Sequence, residues 1–262
     1  MENFGLYGNT AFLYDFDNRQ LLNDDIKFAL DYVKQQKGDI MEIACGTGRM
    51  TIPIFEEIKG SGRSILAFDL SDSMLDVLRG KLSPEKNHSC LQVEKGDMSN
   101  FYFNRKFGLV LLMWRAFQHL IDTEGAQNCL KCIYEHMSDD AVLLFNVFLP
   151  KDSYGKEWIG KEFITYDLID KKNDARIIRS TKNIDSDEAR QIIRYLTRYD
   201  LTLKDGEKKH YEDTIVYKYY YPEQIKELLK KHNFDIIEEL NSLNPQNKEI
   251  TDQYYVLKKA KV

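Results

Sequence analysis

Asp39-Ile40-Met41-Glu42-Ile43-Ala44-Cys45-Gly46-Thr47-Gly48-Arg49 is the stretch on which the reading of this chain turns. An apolar run with β-branched residues ends in an acid, Glu42, and two close glycines, Gly46 and Gly48. A helix-like stretch, Met50 to Ile58, follows at once. Strand, tight turn, helix is the layout that lets a backbone press against a nucleoside, because a Cβ would block either the turn or the ligand's approach. A second acid, Asp69, ends the next apolar run, Ser64 to Asp69. It lies about 20 residues on, at the distance where an adenosine ribose is gripped.

A dinucleotide site asks for a third glycine, where helix and strand pack closely. Here Thr51 holds that position and Ile52-Pro53 follow. Proline is tolerated in a first helical turn, so Pro53 places the helix start close to Gly48. The glycine turn alone does not choose between cofactor classes.

The segments that follow resemble the class I S-adenosylmethionine-dependent methyltransferases. The matching pieces are Glu42 to Arg49, Phe68-Asp69-Leu70-Ser71-Asp72-Ser73-Met74-Leu75, Gly96-Asp97-Met98, Leu111 to Leu120, and the apolar strand Ala141 to Phe148. They lie in family order over roughly residues 38 to 150, and a C-terminal pair of strands extends the match. One departure is Ser138-Asp139-Asp140, which replaces the Pro-Gly-Gly common in a turn remote from the cofactor.

Composition narrows the class. The 262 residues are 43% hydrophobic, enough for a sizeable core in one large domain or a domain with an insert. A net charge of −5 with interleaved charges argues against a basic face for nucleic acid. No apolar run approaches the ~20 residues that cross a bilayer, and Met1 to Leu6 lack a signal-peptide layout, so the expectation is a cytoplasmic protein with no membrane partner. Cys129 and Cys132 form a C-x-x-C inside a helical pattern, Glu124 to Met137, without a second pair for zinc. They read as core-facing thiols, and no metal is expected.

Outward from the glycine turn, apolar runs alternate with amphipathic stretches. Asn23 is the expected cap of a helix to about Gln36, ended by Gly38. Strands are expected at Ile40 to Ala44, Ile65 to Asp69, near Ser89 to Glu94, Leu109 to Met113 and Val142 to Val147. Ser71 caps a helix carrying Met74, Leu75 and Leu78. This alternation indicates an α/β fold with a parallel sheet covered on both faces. After Pro150 the period becomes two: Phe163 to Ile169, Arg176 to Ile184, Gln191 to Leu203 and Tyr211 to Tyr220, with turns at Asp185 to Asp187 and Lys204 to Gly206. A helix from Pro222 to Lys231 and strands Phe234 to Leu240 and Gln253 to Lys258 follow. With the resemblance, the expected fold is a Rossmann-like, doubly wound seven-stranded mixed sheet whose last strand is antiparallel, with an inserted antiparallel β-meander. The expected organisation is 1–150, an N-terminal helical cap and cofactor-binding core; 151–221, the insertion covering the substrate pocket; and 222–262, the return to the core.

The resemblance implies S-adenosyl-L-methionine as cofactor. That cofactor brings its own leaving group, so no Ser-His-Asp or Cys-His constellation is required. Gly46 and Gly48 would admit its methionine and ribose part, and Glu42 would reach its amino-acid end. Asp69 would accept from both ribose hydroxyls, as an acceptor-only carboxylate suits a diol. Leu70 and Met74 would pack against adenine, with Asp97 and the Met98 backbone on the ring edge. Trp114 would lie beneath the sulfur, and Tyr7 and Arg49 near the carboxylate.

On the acceptor side, similar methyltransferases of amino sugars and small amines carry a histidine after the fourth strand and a tyrosine in an N-terminal Tyr-Asp pair. Here these are His119 and Tyr14-Asp15. His119 would take a proton from an amine or hydroxyl; the alternative is that it caps the next helix and orders the loop. His88, His136, His210 and His232 read as surface residues without partners. Nine of the sixteen tyrosines fall between Tyr154 and Tyr221, a surface suited to a small polar acceptor or to a homodimer contact. Arg176, Arg179, Arg194 and Arg198 read as a solvated face able to meet an acidic group. The expected function is methyl transfer to nitrogen or oxygen of a small molecule. A non-catalytic cofactor-binding or oligomeric partner protein is the alternative. Macromolecule methylation ranks lower, since Met113-Trp114-Arg115-Ala116 replaces the Asn/Asp-Pro-Pro-Tyr/Phe element of base methylation.

Overall fold

Runs such as Phe107-Gly-Leu-Val-Leu-Leu112 are apolar at nearly every position, so both their faces need cover, and a central parallel sheet meets that need. The computed structural model describes residues 7–17, 21–82, 88–151, 153–171, 174–244 and 251–261. Its elements are α1 (Leu21–Gln35), β1 (Ile40–Ile43), α2 (Thr51–Ile58), β2 (Ile65–Asp69), α3 (Asp72–Lys81), β3 (Leu91–Lys95), β4 (Phe107–Leu112), α4 (Thr123–His136) and β5 (Met137–Phe148). Then come β6 (Glu162–Asp170), β7 (Ala175–Asp187), β8 (Ile192–Thr202), β9 (Lys208–Lys218), α5 (Pro222–Lys231), β10 (Phe234–Leu240) and β11 (Asp252–Lys259).

The main sheet runs β10-β11-β5-β4-β1-β2-β3, and β11 is antiparallel to both of its neighbours. The seven-stranded mixed α/β sheet expected from the sequence is therefore present. Side-chain alternation divides the core. Met41, Ile43, Leu66, Phe68, Val110 and Leu112 pack with α4 and α5, while Ile40, Ile65, Leu109 and Leu111 pack with α1 and α2. Each such side chain contributes roughly 1.5–3 kcal/mol of burial. The chain winds outward from β1 to β3 and then crosses to β4 on the other side of β1. That reversal opens a crevice at the carboxyl ends of β1 and β4, where open α/β sheets bind ligands. The segments 44–50 and 113–119 flank it.

β6 to β9 form a separate four-stranded antiparallel sheet. β8 and β9 pair without a break from Ile192↔Lys218 to Thr202↔Lys208. A 3-10 turn, Ala11–Phe16, fastens the N-terminal segment to this sheet. Leu13 packs on Ile177 and Tyr199, and the Thr10 hydroxyl donates to Asp213 at 2.7 Å. No helix among the described residues is long and apolar enough to cross a membrane.

Several local expectations need correction. α1 begins at Leu21, so Asn23 sits inside its first turn and does not cap it. Ser71 does cap α3, accepting from the Met74 amide at 3.3 Å. Asp185 to Asp187 continue β7 beyond a bulge, and the reversal falls at residues 188–191; ladder pairing with β8 outweighs the local turn chemistry. Ser138 to Asp140 likewise belong to β5 and not to a turn. His136 is buried: the Phe103 amide donates to its Nε2 at 2.8 Å, and its Nδ1 meets the Cys132 carbonyl at 2.7 Å. His210 lies at the surface but pairs with Asp200 and Glu212, and the His232 Nδ1 meets the Leu228 carbonyl. Met1 to Leu6, where the signal-peptide reading fell, lie outside the described residues.

Candidate active site

The turn after β1 is shaped by backbone conformation. Ala44, Gly46 and Gly48 all have positive φ, at 56°, 55° and 79°. At Gly46 a Cβ would meet nothing, because the residue borders the cleft. Gly48 differs from its expected role. A Cβ there would come 2.1 Å from the Leu78 side chain, and Gly48 does not line the cleft. It lets α3 approach the turn. The Gly46 amide donates to Asp69 Oδ2 at 2.8 Å, and the Ser71 amide donates to Asp69 Oδ1 at 2.8 Å. Both oxygens are engaged by backbone amides, and four lone-pair sites against three amides leave capacity for a ligand hydroxyl. Burial pushes the Asp69 carboxyl up, and the amides of Ser71, Gly46 and Leu70 oppose that shift.

Glu42 shares the β1 face of Ile40 and is 6% exposed. The Thr51 hydroxyl donates to it at 2.7 Å. Burial pushes its carboxyl from 4.5 up to about 7, against the Thr51 hydrogen bond and the Arg49 charge. A cation brought beside it relieves this burial by favouring the carboxylate. The linkage has a definite sign. The folded pKa lies above the unfolded one, so the stability tied to the neutral form is complete below about pH 4.5 and lost as pH rises through about 7. Glu42→Gln is therefore expected to stabilise the ligand-free protein at pH 8 by on the order of 2–3 kcal/mol relative to its effect at pH 4. Denaturant unfolding at the two pH values checks this; the same change at both would refute it.

After β4, Trp114 and Arg115 both adopt left-handed φ, at 58° and 64°. Such residues cost of order 1–3 kcal/mol and persist only where their surroundings hold them. Here the Arg115 amide donates to Asn146 Oδ1 at 3.1 Å, and the Arg115 guanidinium grips Asp252 at 2.6 and 2.5 Å. The Trp114 ring lies under the Arg49 guanidinium, 4.7 Å from its centroid. Arg49 in turn binds the fully buried Asp25 of α1 at 2.7 and 2.6 Å. Its expected role beside a ligand carboxylate is thus joined to an internal ion pair.

His119 sits in a short 3-10 turn, Ala116–His119, between the rings of Tyr217 at 4.5 Å and Tyr7 at 6.2 Å. Tyr7 also packs edge-on to Tyr14 at 5.2 Å. Burial pulls the His119 imidazole down to about 4, with the Val216 backbone hydrogen bond opposing, so the ring is neutral at ordinary pH. Burial also raises the Tyr7 and Tyr14 hydroxyls, which stay protonated as donors. Asp15, beside Tyr14, accepts from the Thr47 hydroxyl at 2.7 Å and from Lys81 at 2.5 Å. The Tyr-Asp pair therefore ties the N-terminal turn to the glycine turn.

One cleft of about 550 Å³ gathers Tyr7, Tyr14, Glu42, Gly46, Arg49 and Asp69 with Leu70, Met74, Asp97, Met98, Trp114 and His119. Asp97 accepts from the Ser99 amide at 2.8 Å, which orders its loop. A second cavity of about 260 Å³ shares Tyr7, Tyr14, Arg49, Trp114 and Tyr217 with the first and continues under the four-stranded sheet through Arg179, Tyr195 and Tyr199. Sequence reading missed Tyr217, Asp25 and Asp252. Tyr217 carried a weak signal in the tyrosine cluster; the two acids carried none, because their partners lie 24 and 137 residues away.

Residues 40–140 match the family model described as a methyltransferase domain. These residues carry a methyltransferase domain. Among solved structures, an S-adenosylmethionine-dependent methyltransferase from Clostridium acetobutylicum ATCC 824 is similar with a TM-score of 0.71 and 20% identity, covering 96% of each chain. The sugar N-methyltransferase KedS8 of Streptoalloteichus sp ATCC 53650 gives 0.73 and 16%, covering 97% of this chain and 94% of that one. At these identities the likeness shows the fold. A dTDP-3-amino-3,4,6-trideoxy-alpha-D-glucopyranose N,N-dimethyltransferase of Streptomyces venezuelae is 23% identical over 132 residues, 50% of this chain and 52% of that protein. The chain spans about half the length of the curated relatives it matches.

Proposed function

We propose that this protein transfers a methyl group from S-adenosyl-L-methionine to a nitrogen or oxygen of a small-molecule acceptor. The observation that carries the reading is one cleft lined both by a diol-suited carboxylate, Asp69, and by a neutral histidine among tyrosines. The donor set fits the cofactor: open space at Gly46, spare acceptor capacity on Asp69, and a buried Glu42 relieved by a cation. When bound, S-adenosylmethionine supplies an electrophilic methyl carbon and its own leaving group. Asp69 holds a ribose diol, Glu42 faces a cationic amine, and Leu70, Met74 and Asp97 wall the adenine end. Trp114, held by Arg49 and Arg115, lines both cavities and would limit water at their junction.

His119 uses one ring nitrogen on the Val216 backbone and offers the other to the proton of an acceptor N–H or O–H. Tyr7 and Tyr14 donate hydrogen bonds that orient that acceptor. Replacing His119 by asparagine is expected to slow transfer by about 10²–10⁴-fold while cofactor affinity changes less than about three-fold. In the unmodified enzyme the rate should fall as pH drops through about 4, where His119 becomes charged, with no histidine inflection near 6.5. The test is release of S-adenosylhomocysteine against amines, amino sugars and phenols. Cofactor binding without turnover across that panel would leave a non-catalytic cofactor-binding protein, and an equally fast His119 variant would remove the base.

A further inference from the structure

Among the described residues, three arginines line the cavity beneath the four-stranded sheet, and two of them have a carboxylate partner. Arg49 is held by Asp25 and Arg115 by Asp252, each through two contacts of 2.7 Å or less. Arg179 of β7 lines the same cavity, yet among the described residues no carboxylate lies within 4.0 Å of its guanidinium. The contrast within the sheet is sharp. Arg176, Arg194 and Arg198 carry Asp167, Asp185 and Glu162 respectively. The reading of all four as a solvated face holds for Arg176; Arg194 borders the larger cleft, Arg198 is partly buried, and Arg179 faces the cavity.

What surrounds Arg179 is neutral hydroxyl. Its guanidinium lies 5.8 Å over the Tyr199 ring, and the groups acting on its charge are Tyr199, Tyr195, Tyr7 and Tyr166. Tyrosines accept hydrogen bonds from a guanidinium but do not cancel its charge. A partly buried cation without a counterion is expensive to keep, and at a ligand cavity the counterion can arrive with the ligand. The cavity also contains acids. Asp15 is occupied by Lys81 and Thr47. Asp17 lines the wall, and its charge reaches Tyr166 and Tyr199. Tyr166 and Tyr199 also flank Arg179, so Asp17 stands on the same side of the cavity, without an ion pair to the guanidinium within 4.0 Å.

We propose that the methyl acceptor carries one anionic group, a carboxylate or a phosphate, bound by Arg179 with the hydroxyls of Tyr195 and Tyr199, so that its nucleophile points past Trp114 toward His119. Arg179 is a specificity-determining residue that selects charged acceptors over neutral analogues of the same shape. The volume of about 260 Å³ suits a molecule the size of an amino acid or a monosaccharide. This inference rests on the methyltransferase reading above and names its substrate class.

The test is calorimetric titration of the protein, saturated with S-adenosylhomocysteine, against two matched pairs: glycine with methylamine, and glucosamine 6-phosphate with glucosamine. At least one anionic member should bind ten-fold or more tighter than its uncharged-group partner. Arg179→Met should abolish that preference, Arg179→Lys should retain part of it, and both variants should keep the S-adenosylhomocysteine affinity of the parent. Preference for glycine alone assigns a carboxylate, and for glucosamine 6-phosphate alone a phosphate. Equal binding within each pair, no binding of either anionic member, or a preference that survives Arg179→Met would overturn the proposal. Failure of the methyltransferase reading looks different: no affinity for S-adenosylhomocysteine in the unmodified protein.

Discussion

Asp69→Ala is expected to weaken S-adenosylmethionine binding by at least about 100-fold. Two charge-assisted hydrogen bonds to a ribose diol are worth roughly 1.5–3 kcal/mol each, and about 1.4 kcal/mol corresponds to ten-fold in affinity. The same carboxylate also anchors the amides of Gly46 and Ser71, so its removal loosens the turn that borders the ligand. Asp69→Asn should also bind poorly: it keeps one acceptor oxygen, but its NH2 group must face the amide of Gly46 or Ser71. Thermal unfolding of both variants reads how much of the loss comes from the turn. Calorimetry gives the affinities, and an alanine variant within three-fold of the parent would refute the assignment.

Asp25→Ala is expected to cost about 3–5 kcal/mol of folding stability, the range for breaking a buried ion pair on one side. Asp25 is fully buried, and its partner Arg49 has a side chain only 19% exposed. The pair joins α1 to the turn after β1, and the guanidinium rests on Trp114. Removing Asp25 thus leaves a buried charge without its carboxylate and frees the tryptophan that lines both cavities. Changing both partners together, Asp25→Leu with Arg49→Met, should recover part of the loss, because an apolar pair removes the uncompensated charge. Chemical denaturation reads both variants. A single-variant loss below about 1 kcal/mol would show that the pair is solvated in solution.

Much of this architecture could be read before any coordinates, for identifiable reasons. The run Leu109 to Leu112 has no polar face, so it had to become an interior strand. Pro222 at a first helical turn and Ser71 before α3 are local signals, and both helices start where those residues place them. The readings that failed are those where distant contacts outweighed local chemistry. Asp185-Ser-Asp187 has turn composition, yet pairing with Ile192 to Arg194 keeps it extended. His136 reads as a surface residue until the Phe103 amide is brought against its ring. Gly48 reads as a ligand-facing glycine, whereas Leu78 of α3 is what requires it.

From sequence alone come the order of strands and helices, the glycine turn, and the two acids, Glu42 within β1 and Asp69 at the end of β2, because propensity, side-chain period and turn stereochemistry act over a few residues. Tertiary structure decided which arginines are neutralised and which one is left facing a cavity, how far His119 is desolvated, and that Tyr7, Tyr217 and Trp114 share one wall. Those properties depend on counterions and packing partners up to 137 residues away along the chain, which no local pattern encodes.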